Sequence, residues 1–442
     1  MTALAHGIGG ASDLPIPLTY ALIGAAWALA FSFAVLAFAW REPRLDPAAR
    51  GKPVPAPVRA VVDSPVLRAA VAVGSVAATA LLLAIGVFGS ADPAANPVSG
   101  VVYVLVWVGV MVASLVAGPV WKLLSPARAV HRGVCALTGR APESGWLRYP
   151  RAWGRWPAAV GLFTFVWLEL ASPDPGSVTA VTVWVAGYLI VTVVGLFVFG
   201  TEWAEYADPL EVYSSLLGRL SPLARGPAGV FVLRSPLANL AGTPVSPGAV
   251  AVAATLLGST AFDSFSMFEW WRGLLSDAGG APGRTLVGTA GLLVFIAAVG
   301  VSFRVAAAAT GGLARAERHQ LPARLAYTLT PIIAGYVVAH YLSFLVEKSQ
   351  ATVILFADPF GAGWNLFGLA DREVAYLLSA HPAVLGTIKV VAVVTGHVLG
   401  VAAAHDRCLR LLPRAHRLTG QLALMLLMVG YTFTGLYLLF DA

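Results

Sequence analysis

The chain has 442 residues, 58% of them hydrophobic and 12% charged, with a formal net charge of +7. Soluble globular chains carry roughly 25% charged residues, so the composition excludes a soluble enzyme. It points instead to an all-α polytopic integral membrane protein, a helical bundle forming one transmembrane domain over residues 1–442.

Residues 1–18 read as an exterior N-terminal segment in which His6 is followed by a flexible Gly-Ile-Gly-Gly run. No separable signal peptide is expected, although Ala-Leu-Ala before His6 has the small-residue form of a cleavage junction. Ten apolar stretches follow, each near the roughly 20 residues that span a hydrocarbon core. They lie near 19–40, 67–89, 98–121, 156–172, 178–201, 247–266, 285–308, 322–346, 383–404 and 418–440. The fourth is the shortest, and the sixth is interrupted by small residues. The first connecting loop, REPRLDPAARGKPVPAPVR, is a proline-rich surface linker. Within the inner loop 202–246, PLEVYSSLLGRLSPL has the apolar spacing of an amphipathic helix lying on the membrane surface. The outer segment DSFSMFEWWRGLLSDAGGAPGR and the exterior loop 347–382 are rich in Trp and Phe, as expected at the headgroup level. No internal repeat supports an inverted-repeat transporter.

Lys and Arg fall asymmetrically. The segments after the first, third, fifth, seventh and ninth stretches, counted together with Arg304 and Arg324 in the adjoining inner halves of the seventh and eighth, hold 23 of the 29. Cytoplasmic loops retain positive charge, so the expected topology is a multi-pass cell-membrane protein with both termini exterior and His6 outside. These loops account for the net charge without a nucleic-acid partner, which would need a basic face with aromatic platforms. Cys135 and Cys408 both fall on the inner side, where a disulfide is not expected.

Ionisable groups inside a membrane are costly, and each is a functional candidate. The eighth stretch carries Tyr336, His340, Ser343 and Glu347 at four-, three- and four-residue spacing, hence on one helical face. The ninth carries Lys389, His397 and His405, and the sixth places Asp263 between two serines in STAFDSFS. Plainer readings stand beside the functional ones. His397, flanked by Gly396 and Gly400, suits close helix packing with its ring bonded to a carbonyl or serine, and Lys389 suits snorkelling outward. The sharper reading is a convergence of His6, His340, Asp263 and His397 on a divalent metal, zinc or copper, with a position left open for water. Glu347 would then complete the catalytic group, and Lys389 would stabilise an anionic transition state. No Ser-His-Asp arrangement is expected from these helices, so hydrolysis would need a metal-activated water.

Several motifs also carry a resemblance. AHGIGGASDLP, DPLEVYSSLLGRLSP, RSPLANL, GSTAFDSFS, AHYLSFLVEKSQ and the helix IKVV through GHVLGVAAAHDR are similar to a family of multi-pass membrane proteins labelled fenitrothion hydrolase-like. The resemblance spans nearly the whole chain. It implies hydrolysis of a phosphorothioate triester with nitrophenolate leaving, and it assigns no catalytic residue. Two other classes stay open. One is a copper- or haem-binding membrane redox protein, though bis-His haem would need His340 and His397 at one depth. The other is a permease or a structural subunit alongside other membrane subunits. For these the polar path near Arg304, Glu202 and His405 is incomplete.

Overall fold

The computed structural model describes residues 14–226, 229–309 and 313–441. In chain order its principal helices are α1 (Leu18–Ala39), α2 (Pro65–Phe88), α3 (Val98–Ala117, π-helical over Val101–Gly109), α4 (Pro126–Thr138), α5 (Trp156–Leu170), α6 (Val178–Phe199) and α7 (Pro209–Leu217). They continue as α8 (Ala249–Phe265), α9 (Glu269–Ser276), α10 (Gly280–Ala308), α11 (Thr330–Ser343, inside the helical run Leu321–Ala357), α12 (Pro382–Leu411) and α13 (Leu422–Phe440). Among the described residues eight helical runs are long and apolar enough to cross a membrane. A ninth is reached if α8 and α9, bent by 88° from one another, form one span. The chain is therefore an all-α, multi-pass membrane protein. The fourth expected stretch becomes α5, only 15 residues long, which falls short of the roughly 30 Å hydrocarbon core.

Local chemistry sets several helix starts. Ser64, Ser125 and Asp208 each cap a helix whose next residue is proline, their side-chain oxygens accepting first-turn N–H groups. Proline suits that position because its missing N–H would have had no partner there. His381 before Pro382 caps nothing with its side chain, and its Nδ1 lies 3.1 Å from the Leu377 carbonyl.

The described residues gather into two compact units. The first is drawn from Met1–Ala48, Leu237–Val346 and Tyr376–Ala442, the second from Ala49–Pro236 and Glu347–Ala375. The second unit contains a small antiparallel sheet the hydropathy pattern does not announce: β1 (Lys52–Pro53), β2 (Leu223–Arg225) and β3 (Phe231–Leu233), in the order β1-β3-β2. The surface-helix reading of PLEVYSSLLGRLSPL is corrected here. All of α7 except Ser215 is buried, because its acidic groups find partners inside the unit. Glu211 takes a bidentate ion pair from Arg128 of α4, with Nη2 to Oε1 at 2.5 Å. Asp208 accepts from the Tyr188 hydroxyl at 3.1 Å. With those charges matched, α7 can bury every side rather than one.

In the first unit α11 and α12 meet through glycines. A Cβ on Gly396 would stand 2.5 Å from the Pro331 carbonyl oxygen, and one on Gly400 would press on Ile332 and Thr328. The close packing suggested by the glycines around His397 is thus present. Beside this seam Leu22, Ala25, Tyr336, Val393, Leu436 and Leu439 form a buried apolar cluster joining α1, α11, α12 and α13.

Candidate functional site

The first unit carries a connected row of buried polar side chains. Helix α8 offers Asp263 and Ser264 at adjacent positions, and α11 offers His340, with Tyr341 beside it and Tyr336 one turn before. His340 Nε2 lies 2.8 Å from Asp263 Oδ2, and the Tyr341 hydroxyl donates to the same oxygen at 2.8 Å. On the other side of the ring, Ser264 Oγ lies 3.2 Å from His340 Nδ1. Ser264 Oγ is also 3.3 Å from the Tyr336 hydroxyl, which donates to the Gly435 carbonyl at 3.2 Å. Asp263, Ser264 and His340 are each at most 1% exposed.

With Asp263 ionised, its carboxylate only accepts, so His340 presents its proton on Nε2 and leaves the Nδ1 lone pair facing the Ser264 hydroxyl, whose one proton the Tyr336 oxygen also faces. A serine hydroxyl aimed at a base, with a carboxylate orienting that base, is the arrangement that activates a nucleophile. This overturns the expectation that the helices hold no Ser-His-Asp chain. STAFDSFS did contain Ser264, but helical spacing alone does not say which of the two serines beside Asp263 turns toward α11.

The other sequence candidates are distributed as follows. Lys389 is buried to 1% exposure, so it is not at the surface where snorkelling would place it. It shares the buried face of α12 with Val393 and His397. His397 does not join His340; its Nδ1 lies 2.9 Å from the carbonyl of Val393, one turn back on its own helix. Glu347 falls in the π-helical segment Phe344–Lys348 and belongs to the second unit. The wider π turn departs from the α-helical spacing on which the expected shared face with Tyr336 and His340 rests. His6 lies outside the described residues. His405, read as interfacial, is buried, with Nε2 at 2.8 Å from the Trp40 carbonyl and Nδ1 at 3.0 Å from Gln421 Oε1.

Comparison with family models, curated proteins and solved structures was also made. The chain matches none of them.

A metal at His340 and Asp263 has to contend with the bonds already made. Both ring nitrogens of His340 are committed to protein partners, and Asp263 Oδ2 already takes two donors. Among the described residues no three His, Cys, Asp or Glu side chains gather as a ligand set. The described donors therefore do not by themselves fit the expected metal centre, and the chemistry below runs through the side chains alone.

Next to the polar row lies a cavity of about 290 Å³, with Leu257, Phe295, Ile332, Tyr336, His397 and Tyr431 in its wall. Leu257 and Ala261 of α8 line it, and Ser264 follows on the same helical face. Tyr336 belongs to both features: its ring walls the cavity and its hydroxyl reaches Ser264.

Proposed function

We propose that this chain is a multi-pass cell-membrane hydrolase of neutral, apolar esters, the phosphorothioate triester class among them, with Ser264 as nucleophile, His340 as general base and Asp263 as the group that orients and balances His340. The observation that carries the reading is the unbroken order Ser264 Oγ, His340 Nδ1, His340 Nε2, Asp263 Oδ2. The family resemblance supports the substrate class, and the apolar cavity beyond Tyr336 supports an uncharged substrate body. The asymmetry of Lys and Arg supports exterior termini.

In the first half-reaction Ser264 Oγ bonds to phosphorus while its proton passes to His340 Nδ1. The bond from phosphorus to the aryloxide breaks, and His340 gives its proton to the departing nitrophenolate, which ionises once in water, so the imidazole returns to the free base. In the second half-reaction water attacks phosphorus while its proton passes to His340, the bond from phosphorus to Oγ breaks, and His340 returns that proton to Ser264 Oγ. Asp263 stabilises the imidazolium that forms between steps. Lys389, buried in the same unit, has the role of countering negative charge in the transition state.

The test is release of nitrophenolate from a nitrophenyl phosphorothioate triester by protein purified in detergent. Release that survives a chelator and disappears in Ser264→Ala supports the serine chain. Release abolished by the chelator but kept in Ser264→Ala assigns the reaction to a metal instead.

A proton-coupled permease is the second reading. It is favoured by the hydrogen-bonded row that leads from a cavity-lining tyrosine to a buried carboxylate. Protein with no triester turnover, but with pH-driven uptake in liposomes, would select it.

A further inference from the structure

We infer that the cavity in the first unit is a binding site for a neutral, largely apolar molecule that carries one hydroxyl or N–H donor, held by His397 Nε2. The argument begins with the ring. His397 Nδ1 faces the Val393 carbonyl at 2.9 Å, so that nitrogen bears the hydrogen and donates. The opposite nitrogen, Nε2, is then an acceptor. Among the described residues it has no hydrogen-bond partner, and His397 is 1% exposed. A buried acceptor left unpaired is costly, so the wall of this cavity holds an acceptor that a ligand's donor would satisfy.

The rest of the wall defines the ligand by what it offers. Ser302 and Tyr431 point their hydroxyls at each other, 2.7 Å apart, and spend them further on the Ala298 and Val299 carbonyls. The Tyr336 hydroxyl is committed to Gly435 and Ser264. The remaining lining is mainly apolar, with Leu257, Phe295 and Ile332, and Thr434 adds a hydroxyl. A site of this kind, apolar with one buried acceptor left unpaired, orients a ligand by its donor and rewards its hydrocarbon body by burial. At about 290 Å³ the cavity sits at the lower end of the roughly 300–1,000 Å³ typical of small-molecule sites, so a single ring or a short branched chain is the matching size. A charged molecule is disfavoured, since no wall residue supplies a countercharge.

The cavity is the one that supports the substrate body in the hydrolase reading, but the inference rests on His397 of α12 and needs nothing of Ser264. Its test is binding. Full-length protein in lipid nanodiscs is titrated with 4-tert-butylphenol and with its methyl ether, which matches it in shape but has no donor. The phenol is expected to bind saturably and about tenfold more tightly than the ether, the ratio a well-made neutral hydrogen bond supplies. His397→Phe should remove the difference, Ala261→Leu should weaken both ligands by filling the cavity, and Ser264→Ala should change neither. Equal affinity of phenol and ether for the wild type, or no saturable binding of either, overturns the inference. Those two outcomes are read on the wild type and do not depend on how His397→Phe folds.

Discussion

Gly335 of α11 and Gly396 of α12 face one another so closely that a Cβ added to either would lie 3.1 Å from the other's Cα and within 2.5 Å of a backbone carbonyl oxygen. No side chain fits between these helices at that level. The contact sets the spacing between the helix that carries His340 and the helix that carries Lys389 and His397.

Gly396→Ala is therefore expected to force the two backbones apart. Overpacking of this kind costs about 1–3 kcal/mol, and here the obstacle is the Pro331 carbonyl rather than a flexible side chain. Thermal unfolding in detergent should show a lowered midpoint for Gly396→Ala and loss of folded protein for Gly396→Leu. Gly24, which has nothing within 4 Å of an added Cβ, should accept alanine without change.

Activity variants separate the members of the polar row. Ser264→Ala and His340→Ala should each reduce triester turnover by several orders of magnitude, and the double variant should be no worse than either, because nucleophile and base act as one unit. Asp263→Asn should keep the geometry but lose orders of magnitude in kcat by favouring the wrong tautomer of His340. Tyr341→Phe, which removes one donor from Asp263, should cost far less. A double variant substantially slower than both singles would argue against a shared role.

These residues also show where sequence reading reaches its limit. The spans were legible because each needs only a run of apolar side chains, a local property. Asp263 and His340 were legible as candidates because charge in an apolar helix is itself conspicuous. Ser264 was not, since serine is unremarkable in a membrane helix until a base from another helix stands beside it. The same reason hid the interior position of α7. Its Glu211 looks like a solvated surface group, and only Arg128, far away in the chain, makes it a buried one.

That pair carries its own prediction. Removing one partner of a buried ion pair leaves an uncompensated charge and typically costs 3–5 kcal/mol. Glu211→Ala should destabilise the protein on that scale in chemical unfolding. Adding Arg128→Met to it should recover much of the loss, a coupling that two independent contacts would not show.

Asp208, just before α7 and outside the membrane-crossing helices, gives a pH signature. Burial, reinforced by the charge of Glu211, raises its pKa to about 7. The folded state thus holds this proton more tightly than the unfolded chain does. Its contribution favours folding below the ordinary aspartate pKa and is lost progressively as pH rises from about 4 to about 7. Stability measured across that window should fall with rising pH. Asp208→Asn should flatten the fall while keeping an oxygen to accept from Leu210 and Glu211.

The first unit is drawn from three separate lengths of chain, and this has a consequence for how the protein is made. Helix α1 is packed on α12 and α13, yet α13 begins at Leu422, some 380 residues after α1 ends. At roughly 5–20 residues per second, a ribosome needs about 20–80 seconds to supply that partner. During this interval α1 is an inserted helix without its neighbours, and the unpaired donors at Trp40, Arg44 and Leu45 await Asp406. Assembly of the unit that houses Asp263, His340 and His397 is therefore among the last events of synthesis, and a chain that stops short of α12 lacks Lys389, His397 and the helix on which α11 packs.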